Sequence, residues 1–290
     1  MRPLGGTGLH VSIVGLGAGT LGDPTLHDGE AERLLLGALD LGVNLFDTAP
    51  SYGLSEERIG RFLGPRRKEV VLSTKGGYGV PGVPDWSGEV IGAGIEQALR
   101  RLRTEALDVF HLHSCPLEVL RREEILRALE RAVAEGRIRA AGYSGENEAL
   151  AFAIASGRFA VVQTSVNLCD QRGLESLVPD AAGRGMGVLA KRALANAVWR
   201  DDRPGDEASR AYRHRLEAMR LDPAPFAWDA LAIRFAAHAP GVTSILVGTR
   251  RLERLSRAVE LAAEGPLPEA RMDALRARFR ACDANWVGQV

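Results

Sequence analysis

The chain of 290 residues is poor in the features that mark membrane, nucleic-acid-binding and disulfide-stabilised proteins. Its three cysteines are too few and too far apart to suggest a disulfide framework, so we expect a reducing environment. Equal totals of 37 basic and 37 acidic residues give no net field to attract nucleic acid or an anionic membrane. No apolar run reaches the length of a bilayer span, and the first residues lack the apolar core of a signal peptide. These absences favour a cytoplasmic protein without nucleic-acid or membrane partners.

Lysine is also scarce, because only three of the 37 basic residues are lysines. Two of them, Lys75 and Lys191, end apolar runs that are typical of buried strands. The pKa of an ammonium shifts readily on burial, whereas a guanidinium stays charged. The two lysines are therefore candidates for a chemical role.

Short apolar runs alternate with longer amphipathic segments along the whole chain. Strict alternation of strand and helix predicts parallel strands with helical crossovers. Eight such units in a chain of 290 residues match a (β/α)8 TIM barrel, so we expect residues 1–290 to form a single α/β domain of that type. The predicted strands begin at Val11, Val43, Val70, Leu107, Ile138, Ala160, Gly187 and Thr243.

A doubly wound open sheet is the alternative fold, because the first strand runs into the glycine-rich stretch GLGAGTLG. That stretch matches the dinucleotide-binding pattern GxGxxG only loosely, and no acidic residue convincingly takes the role of the ribose ligand. The barrel is therefore the favoured interpretation.

Two segments lie outside the alternation of strands and helices. Residues 1–12 hold a Gly-Gly-Thr-Gly turn between short extended pieces, which predicts an N-terminal β-hairpin. Residues 193–226 are polar and rich in arginine, and they contain Pro204, Pro223 and Pro225. So long a connection after the seventh strand predicts a functional loop that covers the mouth of the barrel.

Polar residues gather at the carboxyl ends of the predicted strands, which surround one mouth of a barrel. Asp47 ends the second strand, Tyr52 follows it in the stretch FDTAPSYG, and Lys75 and His113 end the third and fourth strands. Alone, Asp47 would be read as a turn residue and Tyr52 as a ring packed at a helix start. Other strands end at Ser144, Gln163, Lys191 and the run Gly248, Thr249 and Arg250.

The first four residues fit the donation of a proton to a carbonyl oxygen. An ammonium near a phenol stabilises the phenolate, a carboxylate keeps the ammonium charged, and a histidine donates to the substrate oxygen. The hydride must come from a cofactor, because no side chain supplies one.

The motifs GTGLHVS, FDTAPSYG, LSTKGG, DVFHLHS, GYSGEN, VVQTSVN and ILVGTRRLERL follow one another along essentially the whole chain. In this order they resemble the aldo-keto reductases. The resemblance implies a (β/α)8 barrel and reduction of an aldehyde or ketone by a nicotinamide cofactor, usually NADPH. It also implies a catalytic tetrad of Asp47, Tyr52, Lys75 and His113, with Tyr52 as proton donor. Cofactor contacts are implied for Gly19, Thr20, Asp47, Ser144, Gln163, Lys191, Arg192 and Leu194.

The chain departs from the family pattern at three positions. Gly145 follows Ser144 where the family commonly has asparagine, although Asn147 is close in sequence. Lys191 replaces an aromatic residue that often stacks on the nicotinamide. Ala258 stands where the family often has an asparagine that faces the adenine. The nicotinamide ring must therefore be supported by other residues.

An arginine-rich helix pattern follows the last strand, directly after Gly248 and Thr249. These arginines, among them Arg250 and Arg254, could form a solvated helix face. The functional interpretation is phosphate binding at a helix N-terminus. Because a 2′-phosphate suits guanidinium groups, NADPH is favoured over NADH as the cofactor.

The sequence offers two alternatives to a reductase. His111 and His113 form an H-x-H pair, which holds zinc in some barrel hydrolases. No other histidine ends a predicted strand, so we expect no metal and assign His111 to the core or to support of the site. A nicotinamide-nucleotide sensor or regulatory subunit on the same barrel is the second alternative, but it would not need a complete tetrad. We expect a monomer or weak homo-oligomer that acts on a small carbonyl substrate.

Overall fold

A computed structural model describes residues 1–200 and 205–290 of the chain. Eight parallel strands form a closed barrel in the order β10, β3, β4, β5, β6, β7, β8, β9. The predicted (β/α)8 barrel is therefore confirmed, and the open sheet is wrong because β10 pairs with β3 and closes the ring. The barrel strands are β3 (Val14–Gly17), β4 (Leu45–Asp47), β5 (Val71–Gly76), β6 (Leu107–His113), β7 (Ile138–Ser144), β8 (Val161–Ser165), β9 (Gly187–Lys191) and β10 (Ser244–Gly248).

Helices pack around the outside of the barrel, and their buried apolar residues form one continuous core with the outward-facing side chains of the strands. In α5 (Glu123–Ala134), for example, Ile125, Leu126 and Leu129 are buried, as helical periodicity predicts, whereas Val133, which the same pattern places on that face, is exposed. The helices are α1 (Asp28–Asp40), α2 (Ser55–Leu63), α3 (Gly88–Arg101), α4 (Leu117–Leu120), α5 (Glu123–Ala134), α6 (Asn147–Ser156), α7 (Leu177–Gly183), α8 (Glu207–Met219), α9 (Trp228–Ala237), α10 (Leu252–Ala263) and α11 (Glu269–Cys282).

The barrel interior has an apolar layer below a polar layer. Side chains that point inward recur every second residue along a strand. On β6, Val109 belongs to the apolar layer and is followed two residues later by His111 and then by His113. The same step leads from Leu45 to Asp47 on β4. The apolar layer consists of Leu4, Leu9, Val11, Leu45, Val71, Val109, Ala140, Val161, Leu189 and Leu246.

The predicted N-terminal hairpin is present and closes the lower end of the barrel. Strand β1 (Arg2–Pro3) pairs antiparallel with β2 (His10–Val11). The turn docks on the chain entering β9, where the amide of Gly6 donates to the Gly185 carbonyl oxygen at 2.7 Å. Three hairpin side chains join the apolar layer, so the hairpin seals the end opposite to the carboxyl ends of the strands.

The long connection after β9 contains the helix α8, which the sequence pattern had not indicated. Asp206 caps this helix and accepts a hydrogen bond from the Ser209 amide at 2.7 Å. Residues 201–204, which include the Pro204 noted above, lie outside the part of the chain that the structure describes. Across the described part of the chain, no helix combines the length and apolar character that crossing a membrane requires.

Candidate active site

A buried ion pair joins the ends of β4 and β5. The Lys75 Nζ atom lies 2.5 Å from Asp47 Oδ2 and donates to the Thr48 carbonyl oxygen at 2.8 Å. Burial alone lowers the pKa of Lys75, but the Asp47 carboxylate and the Tyr52 hydroxyl outweigh it, so this pKa lies above its ordinary value. Burial likewise raises the pKa of Asp47, but the charge of Lys75 and the hydrogen bonds from Lys75 and Ser73 bring it below the ordinary value. Both members of the pair are therefore charged at neutral pH.

The second carboxylate oxygen of Asp47 is held by two further side chains. Ser73 Oγ and Gln163 Nε2 each donate to Asp47 Oδ1 at 2.8 Å. Ser73 also lies 3.1 Å from His111 Nε2. Ser73 was not among the site residues predicted from the sequence, although its place two residues before Lys75 puts it on the same face of β5.

His111 supports this network from inside the barrel. It is fully buried, and burial lowers its pKa to about 4, so the imidazole is neutral. Within residues 1–200 and 205–290, no group of three or more His, Cys, Asp or Glu side chains is arranged to hold a metal ion.

Tyr52 is placed by a close contact between two backbone segments. A Cβ atom on Gly22 would lie 1.4 Å from the Tyr52 carbonyl oxygen, so only glycine fits there. Gly53 adopts a φ of +54°, and the amide of Leu54 donates to the Gly22 carbonyl oxygen at 3.1 Å. The ring of Tyr52 then lies with its centroid 5.1 Å from Lys75 Nζ.

His113 stands edge-on to Tyr52, with ring centroids 6.1 Å apart at 90°. Burial, and then the charge of Lys75, lowers the pKa of His113 to about 3, so its imidazole is neutral. Its Nδ1 atom lies 2.7 Å from the hydroxyl oxygen of Tyr78, a residue in the loop that follows β5.

A cavity of about 800 Å³ opens at the carboxyl ends of the strands. It runs from Asp47, Tyr52 and His113 to the start of α10. Two predicted site residues do not line it: Lys75 is buried beside Asp47, and Arg250 forms an ion pair with Asp23. The other predicted site residues all line it: Gly19, Thr20, Asp47, Tyr52, His113, Ser144, Gln163, Lys191, Arg192, Leu194, Gly248, Thr249 and Arg254.

The glycine after Ser144 has a steric reason. A Cβ atom on Gly145 would lie 2.3 Å from the hydroxyl oxygen of Tyr143, which donates to the Cys115 carbonyl oxygen at 3.1 Å. Asn147 does not replace the missing family asparagine, because its side chain binds the backbone of Gly288 through two hydrogen bonds. Ser144 itself donates to Gln163 Oε1 at 2.9 Å.

Lys191 forms a second ion pair in the cavity wall, with the buried carboxylate of Glu146 at 3.2 Å. Glu146 is fixed by the Thr164 hydroxyl at 2.5 Å and the Ser165 amide at 2.8 Å. Burial, together with Arg192 and Lys75, lowers the pKa of Lys191 despite the attraction of Glu146. Glu146 stands two residues after Ser144, and the sequence analysis had not assigned it a role.

The last described residues, 286–290, lie across the carboxyl ends of the strands. Arg192 donates to the carbonyl oxygens of Gln289 and Val290, the latter at 2.9 Å. Arg215 on α8 donates to the Val287 carbonyl oxygen at 2.6 Å. Val290 consequently lines the cavity. No pattern in the sequence indicated this arrangement.

The far end of the cavity is cationic. Arg254 and Arg257 line it on the first turns of α10, beside Ala258, and outnumber the one carboxylate that also lines it there, that of Glu253. The Thr20 hydroxyl donates to the Thr249 carbonyl oxygen at 3.0 Å, which joins the loop after β3 to the loop after β10. Guanidinium groups near a helix N-terminus suit a phosphate.

A model of the Aldo/keto reductase family matches residues 13–278. The chain belongs to this family, whose members are NAD(P)H-dependent oxidoreductases acting on small carbonyl substrates.

Individual relatives agree with this assignment. The chain is 31% identical to L-galactose dehydrogenase of Arabidopsis thaliana over 70% of its own length and 68% of that protein. It is 30% identical to a probable voltage-gated potassium channel subunit beta of Oryza sativa, over 86% of the chain and 87% of that protein. A solved structure of a putative aldo-keto reductase from Pseudomonas aeruginosa matches with a TM-score of 0.74 and 32% identity, over 91% of this chain and 94% of that one.

Proposed function

We propose that the chain reduces an aldehyde or ketone to the alcohol, with NADPH as hydride donor and Tyr52 as proton donor. The observation that carries this proposal is the buried Asp47–Lys75 pair, whose ammonium lies 5.1 Å from the Tyr52 ring centroid. A fixed positive charge at that place stabilises the phenolate that forms as the proton leaves.

Each residue of the tetrad has a distinct role in this proposal. Tyr52 faces the cavity and gives its proton to the carbonyl oxygen. Lys75 stays charged because its pKa is raised, and Asp47 holds it in place. His113 is neutral, so it offers one N–H to the same oxygen without adding a charge.

The residues around the cavity fit a nicotinamide dinucleotide. When bound, NADPH supplies the hydride. Ser144 and Gln163 would hold the nicotinamide amide next to the tetrad. At the other end, Arg254 and Arg257 would hold the 2′-phosphate, which NADH lacks. Gly17 and Gly19 leave room for a close approach of the ligand to the backbone, since they present no side chain to the cavity.

The proposal also covers the location, the oligomeric state and the candidate substrates of the enzyme. The three cysteines are all free, which supports a reducing cytosol. We place the active species as a monomer or weak homo-oligomer. Because a relative is named as an L-galactose dehydrogenase, aldoses belong in the panel of candidate substrates.

A regulatory nucleotide-binding subunit is the second candidate function. It is favoured by the similarity to a probable potassium channel subunit beta. Such a subunit would bind NADPH without needing rapid turnover. The two functions are separated by whether any carbonyl in a broad panel oxidises bound NADPH.

The central test is single-turnover oxidation of NADPH by an active aldehyde. Tyr52→Phe removes the proton and keeps the ring, so the rate should fall by roughly two to four orders of magnitude while NADPH still binds. Lys75→Met should cause a comparable loss. The double variant should be no worse than either single one, because both changes disable one proton-transfer unit.

Tyr143→Phe is the matched control, since it removes the hydroxyl of a buried tyrosine outside the tetrad. We expect it to keep normal turnover. Near-normal turnover in Tyr52→Phe would refute the proposed role of the tetrad. An unmodified protein that binds NADPH but reduces no carbonyl would support the regulatory function instead.

A further inference from the structure

We propose that Tyr78 is a positioning residue that holds His113 in the tautomer with its proton on Nε2. This inference rests on the proposed carbonyl reduction and adds a residue to it. Tyr78 does not line the cavity, so it acts through His113 rather than on the substrate.

The contacts of Tyr78 fix both its hydroxyl and its ring. The hydroxyl oxygen lies 2.7 Å from His113 Nδ1. The two rings are stacked, with centroids 5.7 Å apart and planes at 26°. Trp86 packs against the edge of Tyr78, with ring centroids 5.6 Å apart. Tyr78 therefore holds His113 by a hydrogen bond and by ring contact at once.

The loop that carries Tyr78 is closed on itself. The Trp86 amide donates to the Gly77 carbonyl oxygen at 2.7 Å, and the Gly79 amide donates to Asp85 Oδ1 at 2.8 Å. Gly77 has a φ of +122°, and a Cβ atom there would lie 2.2 Å from the Trp86 ring. The position of the phenol is thus set by backbone bonds and packing before any ligand binds.

A neutral imidazole has one N–H, and two arrangements satisfy the 2.7 Å contact. In the first, Tyr78 donates to Nδ1 and the proton of His113 is on Nε2. In the second, Nδ1–H donates to the Tyr78 oxygen, and Tyr78 donates instead to Ser51 Oγ at 3.4 Å. The low pKa of His113 ensures that one of these neutral forms is present at neutral pH.

Donor and acceptor strength favour the first arrangement. A phenol is a stronger donor than acceptor, and an imidazole nitrogen is a good acceptor. In the first arrangement the Tyr78 hydroxyl donates its proton over the short distance of 2.7 Å to His113 Nδ1. In the second it donates over 3.4 Å to the exposed Ser51, which is a weaker hydrogen bond. The hydrogen bond at one ring nitrogen decides which tautomer is present.

The tautomer matters because Tyr78 occupies Nδ1, so Nε2 is the ring nitrogen that can form a hydrogen bond to a ligand in the cavity. An N–H there donates to the carbonyl oxygen that receives the Tyr52 proton. A lone pair there would repel the same oxygen and compete for that proton. Without Tyr78 the two tautomers would interconvert, and only part of the protein would be ready to react.

Two readouts test the inference, and the first needs no turnover. Histidine labelled with ¹⁵N in cofactor-free protein at pH 7 should show His113 protonated on Nε2 and unprotonated on Nδ1, with its signals identified by their loss in His113→Asn. Tyr78→Phe keeps the stacked ring and removes the hydroxyl, so it should yield a mixture of tautomers. The same variant should lower kcat/KM for the carbonyl about tenfold, the scale of one lost hydrogen bond, and leave the Kd for NADPH unchanged.

Ser51→Ala is the matched control, because it removes only the 3.4 Å contact. It should keep both the tautomer and the rate, whereas a shift of the tautomer would favour the second arrangement and overturn the inference. A native His113 protonated on Nδ1 would overturn it too. So would a Tyr78→Phe variant that loses activity with an unchanged tautomer, since that result assigns Tyr78 a packing role. The proposed carbonyl reduction is tested separately from this inference. Near-normal turnover in Tyr52→Phe would refute the reduction, and it would leave the tautomer of His113 unaffected.

Discussion

Two lysines in the same barrel mouth carry opposite shifts of pKa. Lys75 and Lys191 are each paired with a carboxylate, and burial disfavours the charge of both. The pKa of Lys75 rises because Asp47 and Tyr52 outweigh burial. The pKa of Lys191 falls because burial, together with the nearby cations Arg192 and Lys75, outweighs the attraction of Glu146. For each ammonium, the balance between burial and the charges around it sets the direction of the shift.

Arg254 and Arg250 offer a matched pair of substitutions for testing which cofactor the chain prefers. Arg254 lines the cavity, whereas Arg250 forms an exposed ion pair with Asp23. We expect Arg254→Ala to weaken NADPH binding by about 10- to 100-fold, the scale of one charged hydrogen bond to phosphate, and to leave NADH binding nearly unchanged.

Arg250→Ala should change neither affinity appreciably, because an exposed ion pair contributes little. Titration calorimetry with both cofactors on the unmodified protein and on the two variants measures all six affinities. Equal affinity of the unmodified protein for NADPH and NADH would contradict the assignment of the cationic end to a 2′-phosphate.

The segment that follows β9 forms one wall of the cavity. Leu194, Asn196 and Trp199 line it, and the stacked rings of Trp199 and Trp228 lie 5.5 Å apart at 12°. Bound NADPH should therefore slow hydrogen exchange in residues 193–200, because their opening motions would have to release the ligand.

Exchange measured by mass spectrometry with and without NADPH checks this expectation. Helix α5 is the internal control, since none of its residues lines the cavity and its exchange should not change. Unchanged exchange throughout the described part of residues 193–226 would show that the segment does not cover the cofactor.

Strand periodicity explains how much of the site could be predicted from the sequence. Asp47, Lys75 and His113 each end an apolar run, and parallel strands bring such ends to one mouth. Ser73 follows the same rule, so the period of two could have identified it. The contact of Arg192 with residues 289 and 290 could not be predicted, because backbone carbonyl acceptors leave no trace in a sequence. Gly145 is explained only by the position of the Tyr143 hydroxyl.

For the whole molecule, the polar layer inside the barrel makes stability depend on pH. His111 has a pKa of about 4 in the folded chain, against an ordinary value of 6.5. Between these values the unfolded chain binds a proton that the folded chain does not. The contribution of His111 is therefore fully present above pH 6.5 and is lost as the pH falls toward 4. Asp170 acts in the opposite sense, because burial raises its pKa to about 7 and its contribution is lost as the pH rises from 3.8 toward that value.

A comparison with His111→Gln isolates the histidine from the opposing aspartate. Between pH 7 and pH 5, the free energy of unfolding of the native chain should fall by about 2 kcal/mol more than that of the variant. Urea unfolding at both pH values gives this difference, and equal m-values serve as the control for unchanged compactness. Parallel pH dependence in the two proteins would contradict a neutral, buried His111.

The hairpin that seals the lower end of the barrel has a practical consequence for attaching the protein to a surface. His10 is exposed on β2, at the end opposite to the cavity, while Cys115 and Cys169 are buried and Cys282 is only partly accessible. A thiol introduced by His10→Cys would be more accessible than any of these three native thiols. Coupling an electrode or a bead through that position would point the mouth of the barrel toward the solution, so that cofactor and substrate would reach it unobstructed.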